Sequence, residues 1–340
     1  MKITIKDIAK EANVSASTVS LVLNNKPCRV SEQTRANIKE IAKKYNYKVN
    51  QTARSLVTRK SNILGLIIPD IENLFFSALC KRMEEYCRNK GYALIIVNSN
   101  DHKEDDCLLI DLLVSRGVDG FAIAVSNESF EDDEVRNKLE TLSIPFVMID
   151  RTYANMDCNK VYFDNELGAY LAIEHLVRHG HRKIACIGLP SHNGSSRVHG
   201  YRKAMAKFSL PVYEENILPG DYRFQGGYDC ANNLVSRDIT AVFVCNDMMT
   251  LGVMRSFQEH GIRVPNDISV ISYDNTLHPF MLPGTQITSI EQNVEQLAIT
   301  ACDMLLHHIA YPKAAHQDIC LEPKLIELDS VATLTPTTTK

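Results

Sequence analysis

The stretch Val14-Ser15-Ala16-Ser17-Thr18-Val19-Ser20-Leu21-Val22-Leu23-Asn24 decides how the rest of the chain is read. Ser15 with Thr18 starts a helix whose Val19, Val22 and Leu23 form an apolar stripe, leaving Ala16, Ser17, Ser20 and Leu21 outward. Upstream, Thr4-Ile5-Lys6-Asp7 has the form of a capping box. Ile5, Ile8, Ala9 and Ala12 then fall at the i, i+3, i+4, i+7 spacing of one buried helical face. Asn13-Val14 interrupts the period. Two short helices across so tight a turn make a helix-turn-helix, and the small outward side chains of the second can lie close in a DNA major groove.

Charge separates this segment from an ordinary helical hairpin. Residues 1–60 carry 13 Lys+Arg against 4 Asp+Glu, whereas the remaining residues carry 24 against 37. A basic head on an acidic body is the electrostatic footprint of a polyanion-binding module. Ser31-Glu32-Gln33-Thr34 starts a third helix, with Ile38, Ile41, Ala42 and Tyr45 as its buried stripe. Asn50 to Leu56, with Asn50 as N-cap, has room for about two helical turns, too few to be stable alone. Composition by itself favours a linker there.

From Ile63 the pattern changes to short, continuous apolar runs of the kind that form buried parallel strands. They recur at Ile63–Pro69, Ala93–Val97, Gly120–Val125, Pro145–Ile149, Lys183–Gly188, Ala241–Cys245 and Ile268–Ser272. Helical patterns separate them, among them Phe76–Lys90, Leu167–His179, His199–Phe208, Met248–Glu259 and Val294–Ile309. The alternation predicts βαβ units in doubly wound parallel sheets. Two sets of strands predict two lobes, with Thr288–Gln292 crossing between them, late strand material near Ile319–Leu328, and a frayed Thr-rich tail at Val331–Lys340.

Several chemistries are excluded. The charged start has no signal-peptide core, and no apolar run is long enough to span a membrane, so a cytoplasmic protein is expected. The 10 cysteines are scattered, with no C-x-x-C pair, which fits reduced thiols rather than disulfides or zinc. Phosphate-cradling glycine motifs, H-E-x-x-H and a nucleophile elbow are all absent, so no cofactor, no metal and no catalysis are expected. His175, His179 and His181 cluster around Gly180 and read as solvated histidines at a helix C-terminus, where a cation suits the dipole. Polar residues gather instead at the C-terminal ends of strands, where open α/β sheets bind ligands. These are Asn73 with Phe75 and Phe76, Asp150-Arg151, Asn246-Asp247 and Asp274-Asn275, joined by Arg197 before the His199 helix. Such groups facing aromatic rings suit a polyhydroxylated ligand, although each alone is a common turn or cap residue.

With these residues in view, the chain resembles the lac-repressor (LacI/GalR) family of transcription regulators over essentially its whole length. The matching residues are Thr4-Ile5-Lys6-Asp7-Ile8-Ala9, Val14-Ser15, Thr18-Val19-Ser20, Asn24 and Ala53-Arg54-Ser55-Leu56. In the core they are Asp119-Gly120, Ile149-Asp150-Arg151, Arg197, Gly200-Tyr201, Asn246-Asp247, Leu251-Gly252, Val264-Pro265 and Asp267-Ile268 through Asp274-Asn275. The resemblance implies that residues 50–56 form a hinge helix that folds on DNA, with Leu56 wedged into the minor groove. It implies that Ala16, Ser17 and Leu21 face bases and that Thr4, Ser15, Thr18 and Asn24 lie near phosphates or bases. Arg29, Thr52, Ala53 and Arg54 complete the implied DNA contacts. It further implies an effector cleft of Asn73, Phe75, Phe76, Asp150, Arg151, Arg197, Tyr222, Asn246, Asp274 and Gln292. Three residues depart from the pattern: Leu21 in place of a polar residue, Val49 where proline is frequent, and Leu74 in place of a proline. The tail has no leucine heptads, so a homodimer is expected rather than a tetramer.

The expected fold class is therefore α/β, with an all-α helix-turn-helix headpiece at 1–48, a hinge and linker at 49–60, and a two-lobed periplasmic-binding-protein-like core at 61–340. Lobe 1 spans about 61–161 and 292–324, and lobe 2 about 162–291 and 325–340. The expected function is repression of a carbohydrate-utilisation operon, with release from palindromic double-stranded operator DNA by a small sugar or sugar derivative. The alternatives are a corepressor-dependent regulator sensing a purine or a partner protein, and a sugar-binding protein without a DNA function.

Overall fold

Helix α1 (Ile5–Glu11) begins where the Thr4 N–H and hydroxyl both donate to Asp7 Oδ2, at 2.9 and 2.7 Å. It ends in a left-handed Asn13 at φ 53°, with the Val14 N–H reaching back to the Ala9 carbonyl. That 6→1 bond is a Schellman closure, and it sets the tight turn into α2 (Ala16–Leu23), whose N-cap Ser15 accepts from the Thr18 N–H. Helix α3 (Glu32–Lys44) is capped by Ser31 in the same way. Ile8, Val19, Val22 and Ile38 are fully buried between the three helices. Tyr45, expected in the stripe, is 37% exposed. Asn46 turns left-handed after α3, and Tyr47 folds back to pack on this small core in its place.

The structure, a computed structural model, describes residues 3–24, 26–47, 60–189, 194–277 and 286–334, those at 194–196 by backbone only. The chain divides into two compact units, Met1–Ser61 and Asn62–Lys340. The expected hinge helix, with Thr52, Ala53, Arg54 and Leu56, lies outside the described residues.

The larger unit holds two six-stranded sheets. The first contains β1 (Ile63–Ile68), β2 (Ala93–Asn98), β3 (Gly120–Ile123), β4 (Phe146–Ile149), β5 (Asn159–Phe163) and β11 (Asp318–Leu321), in the order β11-β5-β4-β3-β1-β2. The second contains β6 (Ile184–Gly188), β7 (Ile217–Pro219), β8 (Ala241–Val244), β9 (Ser269–Asp274), β10 (Ser289–Glu291) and β12 (Lys324–Ile326), in the order β12-β10-β9-β8-β6-β7. All pairings are parallel except β10 with β12.

Both faces of the first sheet are covered, as a parallel sheet requires. Leu64, Leu66 and Ile68 of β1 join a core with α4 (Leu74–Asn89) and α11 (Val294–Ala310). Ile67 joins another with α5 (Lys103–Ser115) and α6 (Glu134–Glu140). The second sheet packs against α7 (Asn165–Arg178), α8 (Gly194–Lys207), α9 (Phe224–Leu234) and α10 (Asp247–Glu259). Ser289–Glu291 is itself a strand of the second sheet, so the chain crosses back at Gln292–Asn293, at the end of the stretch expected to do so. It crosses at two other places, between β5 and α7 and between β11 and β12.

Two further expectations change. His175 and His181 are buried rather than solvated, and His181 makes 3.0 Å contacts with both Thr240 Oγ1 and the Ala332 carbonyl. The tail is tied down as far as Leu334, whose N–H donates to the His179 carbonyl. Among the described residues no helix is long and apolar enough to cross a membrane, and none of the 10 cysteines is in a disulfide.

Helices α9 and α10 meet backbone to backbone at Gly227 and Gly252. A Cβ on Gly252 would overlap the Phe224 carbonyl, and one on Gly227 the Met249 carbonyl. Neither obstacle is a flexible side-chain end. Gly252→Ala should therefore lower stability by about 1–3 kcal/mol, the usual range for overpacking, read as a lower urea midpoint. An unchanged midpoint would contradict the close contact.

Candidate functional site

In the headpiece, Ser15, Ser17, Thr4 and Arg29 are exposed, while Ala16, Thr18, Leu21 and Asn24 are half-buried. Several of these polar groups already serve the fold. Ser15 Oγ contacts Ser17 Oγ and Thr18 Oγ1 at 2.7 and 2.8 Å, and Asn24 Nδ2 donates to the Ser20 carbonyl at 2.7 Å. Lys6, Lys10, Lys26, Lys39 and Lys43 of the same unit are exposed. Small side chains on a headpiece rich in solvated cations suit phosphate contact with close approach to base edges.

In the larger unit both sheets have the order in which the strand sequence reverses beside the first strand, between β1 and β3 and between β6 and β8. Ligands of such sheets bind at the carboxyl ends of the strands at that switch point. A cavity of about 390 Å³ lies there, lined by residues from the ends of both sheets. All the cleft residues expected from the sequence line it except Gln292. Asn73 and Phe76 follow β1, Arg151 follows β4, and Asn246 follows β8.

Arg197 dominates the site and is only 8% exposed. Its Nη1 donates to the Cys245 carbonyl at 2.5 Å, its Nε to Asn165 Oδ1 at 2.9 Å, and its Nη2 to Gln292 Oε1 at 3.3 Å. Gln292 thus sits behind the guanidinium and orients it. The guanidinium lies 3.8 Å from the centroid of Tyr273 and 3.4 Å from Asp274 Oδ1. Arg151 is bound to Asp101 at 2.5 Å and stands 5.5 Å over the Phe76 ring and 5.8 Å over that of Tyr222.

Three cavity residues have left-handed backbones: Asp150 at φ 59°, Tyr222 at φ 62° and Asp274 at φ 95°. Such a conformation is costly for a bulky residue like Tyr222 and persists only where its surroundings enforce it. Asn246 contributes, donating to the Tyr222 carbonyl at 2.9 Å while its Oδ1 caps α10 through the Met249 N–H. Asn73 likewise caps α4, accepting from the Phe75 N–H.

Burial raises the Asp274 carboxyl to about 7 against the opposing pull of Arg197, and burial also raises Asp150 and Asp247. Two buried acceptors in the cavity wall, Asp274 Oδ1 and Asn127 Oδ1, have no hydrogen-bond donor among the described residues. Asn127, with Asn165 and Lys160, was not singled out in the sequence. Asn127 lies just past β3, so the strand-end rule could have found it; Lys160 and Asn165 belong to or follow β5, a strand with too mixed a pattern to be read as one.

The raised Asp274 pKa fixes a sign. A carboxyl whose folded pKa lies above its unfolded value contributes stability at low pH that is lost as pH rises through the folded value. Between pH 6 and 8 the melting temperature of the effector-free protein should fall relative to that of Asp274→Asn, which cannot ionise there. A difference constant across that window, or one of opposite slope, would contradict the assignment.

Known proteins place this geometry. The family model for bacterial regulatory proteins, lacI family, matches residues 4–50, and that for a periplasmic binding protein-like domain matches residues 173–331. A repressor named PurR from Histophilus somni is 32% identical over 97% of this chain and 99% of its own length. One of the same name from Yersinia pestis is 36% identical over 97% of each. Among solved structures, a lac repressor dimer bound to operator and an anti-inducer superposes with a TM-score of 0.86 at 26% identity, covering 98% of this chain and all of that one. A LacI family regulator from Enterococcus faecium with bound ribose gives a TM-score of 0.72 at 29% identity, covering 80% of this chain and all of that one. With a basic helix-turn-helix, two switch-point sheets around one cavity and relatives matched end to end, the chain belongs to the LacI family of DNA-binding transcriptional repressors.

Proposed function

We propose that this repressor senses a small sugar or sugar derivative of monosaccharide size, which binds between the two sheets and releases the dimer from a palindromic operator. The observation that carries this reading is a pair of buried acceptors in the cavity wall that receive no hydrogen bond among the described residues, Asn127 Oδ1 at the end of one sheet and Asp274 Oδ1, within ion-pair range of Arg197 Nη1, at the end of the other. Buried polar atoms are nearly always hydrogen-bonded, so two such acceptors in a cavity call for donors on the ligand. Neighbouring ring hydroxyls donate to both, accept in turn from Arg151 and Arg197, and leave an apolar face for Phe76 or Tyr222. The cavity volume falls at the lower end of the roughly 300–1,000 Å³ typical of small-ligand sites, which suits a single ring. The ribose held by the Enterococcus faecium neighbour supports the same class.

DNA binding is assigned to the headpiece, with Ala16, Ser17 and Leu21 toward bases and Thr4, Ser15, Thr18, Asn24 and Arg29 nearer the backbone. The hinge residues Thr52, Ala53 and Arg54 join them, with Leu56 as the minor-groove wedge. Leu21 offers an apolar contact for a thymine methyl in place of base hydrogen bonds. A ligand that fits one arrangement of the lobes better than another shifts their equilibrium, and the spacing of paired heads follows.

A second reading is favoured by the relatives named PurR, matched at 32–36% identity over nearly the whole chain. In it the same cavity takes a purine that strengthens operator binding.

Thermal-shift measurements against pentoses, hexoses, their phosphates and purine bases separate the two. The sugar reading expects one class of sugar to raise the melting temperature while purine bases leave it unchanged. Stabilisation by a purine alone would overturn it. In Arg197→Ala, affinity for the responding sugar should fall about tenfold or more, because hydrogen bonds to a charged group contribute roughly 1.5–3 kcal/mol each. Calorimetry showing unchanged sugar affinity in that variant would remove Arg197 from the site.

A further inference from the structure

We propose that the C-terminal end of α7 carries a binding site for a first-row divalent cation of the zinc type, formed by His175, His179 and Glu327. One ligating atom from each lies within 4.8 Å of the others. His175 and His179 stand four residues apart at the end of one helix, which puts both rings on one face, with centroids 4.3 Å apart. That spacing lets two imidazoles share one zinc. The carboxylate comes from a distant part of the chain: Glu327 immediately follows β12, and its Oε2 lies 3.9 Å from His175 Nδ1.

The hydrogen bonding of His179 is that of a metal ligand. His179 Nδ1 lies 2.9 Å from the His175 carbonyl, a bond that fixes its proton on Nδ1 and leaves Nε2 with its lone pair free. Metal-bound histidines are typically oriented in this way, by giving their other N–H to a carbonyl or carboxylate. His175 is only 6% exposed, and its Nε2 has no hydrogen-bond partner among the described residues. A buried imidazole left so is costly unless something else occupies it. Two imidazole nitrogens and one carboxylate oxygen form a borderline donor set, which selects Zn²⁺ or its neighbours over Mg²⁺ or Ca²⁺. Binding requires side-chain rotations that draw the three atoms around an ion at about 2.0–2.2 Å.

The ion would pin the segment after β12 to α7. The same segment leads to Leu334, whose N–H already donates to the His179 carbonyl. Metal binding would therefore hold the end of the chain against the second lobe and raise its resistance to unfolding by mass action.

Tag-free, full-length protein stripped by a chelator would be titrated with zinc chloride by calorimetry and with cobalt chloride by visible absorption. The proposal expects a saturable step at one ion per chain, the intense visible bands of low-coordinate Co²⁺, and a higher melting temperature with zinc. His179→Ala and Glu327→Gln, at positions outside the core, should each weaken binding by about tenfold or more, while His308→Ala should leave it unchanged. Because loss of the buried His175 could disturb the lobe, the two outer variants carry the test. Absence of a stoichiometric step would overturn the proposal. So would unchanged affinity in both outer variants, or an equal loss in His308→Ala.

Discussion

The buried guanidinium of Arg197 is the constraint on which the larger unit depends. Its donors reach Asn165, where the chain first passes from one sheet to the other, and Gln292, where it passes back. Its remaining contacts, with the Cys245 carbonyl, Asp274 and the Tyr273 ring, anchor it in the second sheet. A charge taken so far out of water survives only with a full set of partners. The positions of two of the three crossings are therefore tied to one side chain in the wall of the cavity. A ligand group that took part of the Arg197 or Asp274 bonding would act directly on the segments that join the two sheets.

The rest of the site is arranged around that charge. Left-handed backbones at Asp150, Tyr222 and Asp274 are local strain, offset by the networks that hold them. Asn246 illustrates the division of labour: both ends of its amide are spent within the protein, one on the α10 cap and one on the Tyr222 carbonyl. Asp274 and Asn127 differ in having acceptor capacity left over, one on each sheet. Groups already satisfied shape the cavity, and groups left unsatisfied select what enters it. Regulation then needs only that the two lobe arrangements offer these acceptors to a ligand differently.

Much of this was legible in the sequence, because the patterns involved are local. The capped helices of the headpiece follow from Thr4, Ser15 and Ser31, and the strand-end polar residues follow from apolar runs with sharp ends. What escaped depended on non-local context. Strand β5, Asn159-Lys160-Val161-Tyr162-Phe163, mixes polar and apolar residues because Lys160 is buried with its ammonium on the Tyr153 and Ala154 carbonyls, so neither it nor the following Asn165 was noticed. His181 turns inward because Gly180 adopts φ 90° and aims the chain at Thr240 and Ala332, partners far away in sequence. Tyr45 and Tyr47 exchange roles at the end of α3 for the same reason: a left-handed Asn46 reverses which ring meets the core.

The central claim is that ligand in the cavity and operator on the headpiece bias one and the same equilibrium. Thermodynamic linkage makes that claim reciprocal: the factor by which a ligand changes operator binding must equal the factor by which operator changes ligand binding. The most direct measurement is calorimetric affinity for the responding sugar, taken with and without saturating operator duplex, beside the operator affinity taken with and without saturating sugar. The account predicts weaker sugar binding on the DNA complex, by a factor matching the loss of operator affinity. Sugar affinity unaffected by operator would contradict it.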